Sequence, residues 1–235
     1  MLSLIKKEIQ SLANPEQAKN LQRFFKTGKG QYGEGDVFFG LNSQQIKDVA
    51  KKFYETDLGN IQELINSKIH EERMCALRIL IQQYKKAKKN PLQRRRIFEF
   101  YLKNSKKINN WDLVDVSAPN IVGDFLERED SGILRQLAIS ENLWEKRIAI
   151  VSTYTFIKKR KFGETLAISE ILMNDEHDLI HKAVGWMLRE VGKRNMEVLE
   201  IFLATRYKKM PRTMLRYAIE KFPEEKRKAY LKGEI

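Results

Sequence analysis

Arg147-Ile148-Ala149-Ile150 returns 35 residues later as Lys182-Ala183-Val184-Gly185, and 34 residues after that as Arg216-Tyr217-Ala218-Ile219. Each is a basic residue followed by small or branched apolar ones. A period of this length is that of a two-helix repeat. Arg73-Met74-Cys75-Ala76 fits the same frame 74 residues before Arg147, and Asp115-Val116-Ser117-Ala118 fills the space between. One helix pair cannot bury its apolar face alone. Stacked neighbours can, and equivalent positions then line up along one face. The expected fold is therefore all-α, a superhelical solenoid of two-helix repeats forming a single domain over residues 1–235. Arg73, Asp115, Arg147, Lys182 and Arg216 should line a concave, basic groove carrying one carboxylate.

The rest of the chain agrees. Apolar residues recur three and four apart in Ile61-Leu64-Ile65, Met74-Leu77-Ile81 and Ile168-Ile171-Leu172, and no run alternates as a strand does. Asn14-Pro15, Asn90-Pro91 and Met210-Pro211 each read as a loop followed by proline in a first helical turn. Gly28-Lys29-Gly30-Gln31-Tyr32-Gly33-Glu34-Gly35 formally contains the dinucleotide signature G-x-G-x-x-G. Helical pattern precedes it where a strand is required, so it reads as a mobile linker.

Composition narrows the function. With 44 Lys+Arg against 31 Asp+Glu the net charge is +13, in a chain that is 42% hydrophobic. A folded core under such a charge points to a polyanion, nucleic acid first, with membranes, acidic proteins or plain solubility as the alternatives. Tyr84 to Arg96 carries seven Lys/Arg and no acid, Arg206 to Arg216 carries five, and Lys158-Lys159-Arg160-Lys161 adds a cluster. Single runs are usually solvated surface; together they could neutralise several phosphates. The one cysteine, Cys75, excludes an internal disulfide and a cysteine-based zinc site. No stretch is apolar enough to span a bilayer, and Lys6 and Lys7 spoil a secretory signal, so the expected location is the cytoplasm.

Conventional catalytic sets are sparse. His177 and His181 have the spacing of a zinc-protease helix but lack its glutamate and a third ligand, so they read as polar residues at a helix start. Cys75 sits in an apolar stripe as a small core residue. Trp111 and Asp115 are different, because four residues apart on a helix they share a face. Trp186 stands four after Lys182 and three before Arg189, which places it beside the same basic surface. The bland reading puts both tryptophans in the core and makes Asp115 a surface acid. Asp112 is the better cap for a helix starting at Asn109-Asn110, which leaves Asp115 without a structural duty, and Trp144 belongs in the core. A carboxylate on a DNA-facing surface repels phosphate, so a positive charge developing beside it would compensate. Cleavage of an N-glycosidic bond passes through such a charge on the sugar. Indole faces attract cations by about 0.5–2 kcal/mol. An alkylated purine is already a good leaving group and needs no histidine acid.

At these residues the sequence resembles the DNA alkylation repair family of AlkD-type alkylpurine DNA glycosylases. The matching segments are Asn110-Trp111-Asp112-Leu113-Val114-Asp115, Asn142-Leu143-Trp144-Glu145-Lys146-Arg147, Lys182-Ala183-Val184-Gly185-Trp186-Met187-Leu188-Arg189-Glu190 and Phe38-Phe39-Gly40-Leu41. The resemblance implies a C-shaped stack of HEAT-like repeats holding duplex DNA, and hydrolytic release of N3- and N7-alkylated purines in base excision repair. It implies no cofactor and no metal, attack on a base still stacked, and a monomer acting on double-stranded DNA without a membrane. By position, Asp115 would stabilise the sugar cation, Trp111 and Trp186 would line the lesion, and Arg147 and Arg189 would hold flanking phosphates. Lys182, Arg73 and Arg216 add further DNA contacts. Two departures stand out: Gln44 replaces the family's usual proline after Phe-Gly, and Arg23-Phe24-Phe25 lacks a tyrosine hydroxyl. Two other readings use the same scaffold, a non-catalytic binder of distorted or branched DNA and a holder of acidic peptides.

Overall fold

A computed structural model describes residues 1–235, and no β-strand forms in it. The chain divides into two compact units, residues 1–117 and 118–235. The single domain expected from the repeat is thus split one residue before the end of the helix that carries Asp115. No helix is long and apolar enough to cross a membrane.

The first unit contains α1 (Leu2–Ser11), α2 (Pro15–Phe24), α3 (Ser43–Lys52), α4 (Leu58–Ile65), α5 (His70–Lys86), α6 (Pro91–Lys103) and α7 (Trp111–Ala118). Helix starts follow the local chemistry. Asn14 accepts the Gln17 N–H and Asn90 the Gln93 N–H, each with proline at the first helical position as expected. Asn42 and Gln45 form a reciprocal capping box on α3. The core gathers around α5, which packs against α1, α3, α4 and α6. Cys75, Ile79 and Leu80 are fully enclosed. Burial pushes the Cys75 thiol up to about 12, so it behaves as the small core residue expected.

The second unit contains α8 (Asp124–Leu126), α9 (Gly132–Ala138), α10 (Leu143–Ser152), α11 (Tyr154–Lys158), α12 (Gly163–Ile171), α13 (Asp178–Gly192), α14 (Met196–Ala204), α15 (Arg212–Ala218) and α16 (Glu224–Lys232). The repeat is visible here. α9 pairs with α10 and α12 with α13, while α13 also packs on α10, α14 and α15. Ile180, Val184, Met187, Leu188 and Val191 form the apolar stripe of α13, and all are enclosed. Trp144 is in the core, as expected. His177 caps α13, its Nδ1 accepting the Leu179 N–H at 3.1 Å, the helix-start role anticipated for it. Pro211 falls one residue earlier than expected, immediately before the first helical residue of α15.

The glycine-rich segment departs from the slack linker expected of it. Gly33 donates its N–H to the Lys26 carbonyl at 3.2 Å, and a Cβ there would lie 2.4 Å from the Phe25 carbonyl oxygen. Its downstream end is pinned by a single parallel bridge between Val37 and Ile69. That bridge delivers Asp36 to the N-terminus of α5.

Candidate functional site

Helix α7 carries the two residues singled out in the sequence, and its first turn is locked from below. Asp36, His70, Asp112 and Arg73 form a buried chain of charges. Arg73 pairs with Asp36 Oδ1 at 2.7 Å, His70 Nδ1 lies 3.5 Å from Asp36 Oδ2, and His70 Nε2 lies 2.9 Å from Asp112 Oδ2. Asn110, fully buried, donates its Nδ2 to Asp36 at 3.2 Å. Asp112 is therefore no simple cap, because its carboxylate is committed to His70. An imidazole bonded to a carboxylate through each nitrogen needs both protons. Burial opposes that charge, but the hydrogen bond and negative charge of Asp112, then Asp36, overcome it and hold the His70 pKa above its ordinary value. Burial likewise pushes Asp36 upward, but His70 and Arg73 outweigh it and the carboxyl sits below its usual range.

Above this anchor, the Trp111 ring stacks on Phe25 at 5.3 Å and meets Phe24 edge-on at 5.9 Å. Phe24 is 63% exposed, so the aromatic cluster reaches solvent. Trp111 and Asp115 are both half-buried, one helical turn apart. The Asp115 charge is felt by Tyr101, whose buried hydroxyl is pushed above its ordinary pKa by burial first and then by that charge. Tyr101 and Ser117 hydrogen-bond at 2.8 Å, tying the end of α7 to α6.

In the second unit, Trp186 is half-buried against Tyr154, with ring centroids 6.1 Å apart. Lys158 and Arg194 lie over the same tyrosine at 4.9 and 5.7 Å. Lys182 pairs with Asp178 at 2.6 Å and stays 41% exposed. Arg189 pairs with Glu220, and Arg216 is exposed.

Two expected DNA contacts are corrected by burial. Arg73 is 4% exposed and spends its guanidinium on Asp36 and on the Ser67 carbonyl at 2.9 Å. Arg147 is 5% exposed and donates to the Leu179 carbonyl at 2.7 Å, bracing the start of α13. A desolvated guanidinium must satisfy its donors internally, and these two do so with protein oxygens. The frame of the repeat does place all five residues in helices, α5, α7, α10, α13 and α15, but their burial differs from one to the next. The basic clusters are also partly spent: Arg94 lies over the Tyr84 ring at 4.2 Å, and Lys159 and Lys161 share Glu127. No group of three or more His, Cys, Asp or Glu side chains comes together to hold a metal.

Sequence reasoning missed Asp36, His70 and Asp112 as a unit. They are 34 and 42 residues apart in pairs, and no local spacing links them.

Solved structures of similar fold include a predicted DNA alkylation repair enzyme from Enterococcus faecalis, with TM-score 0.69 and 17% identity over 90% of this chain and 97% of that one. AlkD2 from Streptococcus mutans aligns with TM-score 0.54 and 19% identity over 95% and 97% of the two chains. The smu.31 protein of Streptococcus mutans UA159 gives TM-score 0.53 and 18% identity over 95% and 99%. No curated protein matches. The model of one family, described as DNA alkylation repair enzyme, matches residues 5–222, so nearly all of this helical chain is covered and it belongs to that family.

Proposed function

We propose that this protein is an alkylpurine DNA glycosylase that hydrolyses the N-glycosidic bond of N3- and N7-alkylated purines in duplex DNA. The observation that carries the reading is the pairing of Trp111 and Asp115 on one face of α7, on a helix whose first turn is fixed by the His70–Asp112 bond. A rigid carboxylate is what an oxocarbenium-like sugar needs, because its stabilisation depends on a charge already in place when the bond breaks. The C1′–N bond electrons leave with a base that alkylation has made cationic, so the base departs neutral. Water adds to C1′ and gives up a proton. Asp115 stabilises the positive sugar and orients that water. The Trp111 face attracts the cationic base or sugar.

DNA contacts in the second unit fall to Lys182, Arg189, Arg216 and the half-buried Trp186. Arg73 and Arg147, being interior, are left out. The protein needs no redox cofactor for a hydrolysis of this kind.

The test is base release from methylated duplex by the full chain beside Asp115→Asn. The variant is expected to lose at least about a hundredfold in release rate while binding DNA as tightly or more tightly. Release at the wild-type rate overturns the assignment of Asp115. Tight binding by the wild-type chain with no base release at any protein concentration would instead favour a non-catalytic binder of distorted DNA.

A further inference from the structure

The first unit holds a cavity of about 410 Å3 whose walls include Phe25, Phe38, Met74 and Trp111, and whose polar groups include Arg78 and Asp112. Its size falls in the range of about 300–1,000 Å3 typical of small-molecule sites, and its apolar walls with a few converging polar groups are their usual lining.

Arg78 is the unusual member. It interrupts the apolar run Leu77-Arg78-Ile79 and is half-buried, with burial pushing its pKa down. Its Nη2 donates to Ser43 Oγ at 2.8 Å, while Nε is sealed from water and has no acceptor. A buried donor left unmet costs stability unless a ligand supplies an oxygen. Asp112 lines the same cavity and acts on the Arg78 charge. Its Oδ1 accepts the Leu113 N–H at 2.8 Å and its Oδ2 lies 2.9 Å from His70 Nε2. Each carboxylate oxygen retains a further lone pair for a donor.

The walls therefore present a guanidinium that lacks an oxygen and a carboxylate able to take an N–H. The complementary small molecule is planar, neutral and edged by a carbonyl beside a ring N–H. A fully anionic ring would face Asp112, and a cationic ring would face Arg78. An adenine-type ring offers an amino donor where Arg78 requires an acceptor. We propose that this cavity binds a free oxopurine base of the guanine type, with its carbonyl oxygen on Arg78 and its ring N–H on Asp112. The recognition stands on the cavity alone; only the source of the base rests on the glycosylase reading, since 7-alkylguanine keeps both groups after release. Trp111 would then serve as a common wall between the helix bearing Asp115 and the place where the departed base is held.

The experiment titrates the full chain with 7-methylguanine and, in parallel, with adenine, followed by ligand-observed NMR and tryptophan fluorescence. No DNA and no cleavage are involved, so failure here is distinct from failure of base release. Saturable binding of 7-methylguanine is expected, with adenine about tenfold weaker or worse. Arg78→Gln should weaken 7-methylguanine by about tenfold, the value of a lost charge-assisted bond. Val116→Phe, which places bulk in the cavity, should abolish binding, and thermal unfolding of both variants checks that they fold. Absence of saturable binding, equal affinity for the two bases, or indifference to both substitutions overturns the proposal.

Discussion

His70 sits between two carboxylates and against two phenyl rings, Phe38 at 4.6 Å and Phe25 at 5.1 Å, inside the first unit. Its charge is favoured by Asp112 and Asp36 and opposed by burial and by Arg73. An imidazole whose pKa rises on folding stabilises the fold fully below its unfolded value of about 6.5, and that contribution fades as pH climbs through the raised folded value. Asp36 works the other way: its lowered pKa contributes above the ordinary carboxylate value and is lost as pH falls through the folded one. His70→Gln should therefore cost about 3 kcal/mol near pH 6, the price of breaking a buried pair. The gap from wild type in the thermal midpoint should narrow as pH rises through the raised pKa of the imidazole. A gap that widens towards alkaline pH would mean that His70 is neutral in the fold.

Elements are joined here by a few close contacts that tolerate little change. Glu71, in the first turn of α5, receives the backbone N–H groups of Phe39, Gly40 and Leu41 at 2.8 to 3.3 Å. Those bonds hold the Phe38-Phe39-Gly40-Leu41 segment against α5, and Gly40 itself has a φ of +89° and a Cβ position 2.1 Å from the Asn14 carbonyl. Glu71→Gln keeps the shape but removes the charge from several bonds, so a loss of about 1.5–3 kcal/mol is expected in denaturant titration. In the second unit, α13 and α15 approach so closely that a Cβ on Gly185 would lie 2.5 Å from both the Met214 carbonyl oxygen and the Tyr217 Cβ. Gly185→Ala should destabilise by about 1–3 kcal/mol through forced separation of the two helices. An unchanged unfolding midpoint would show that the pair can slide apart at no cost.

At the scale of the whole molecule the question is how much of the +13 charge remains for a polyanion. Several cations are already spent, on Asp36, Glu127, Asp178 and Glu220 among others. DNA binding should still fall steeply with salt. Arg216→Gln should weaken it across all sequences and reduce the slope of log K against log salt by about one. Arg73→Gln should leave that slope unchanged while lowering stability, because its guanidinium is interior. A reduced salt slope for the Arg73 variant would return that residue to the DNA surface.

By itself the sequence determined what depends on neighbours three to four residues apart: the helices, their asparagine caps, the frame of the repeat, the core places of Trp144 and Cys75, and the shared face of Trp111 and Asp115. Such features are local, and their spacing is written in the chain. Only the tertiary structure decided which charges face inward. Arg73 and Arg147 look like surface cations until a distant carboxylate or carbonyl is brought against them, and Asp112 looks like a cap until His70 arrives from another helix. Those pairings join residues more than thirty positions apart, and no period in the sequence records them. They exist because packing excludes water, which makes each buried charge find a partner wherever the fold supplies one.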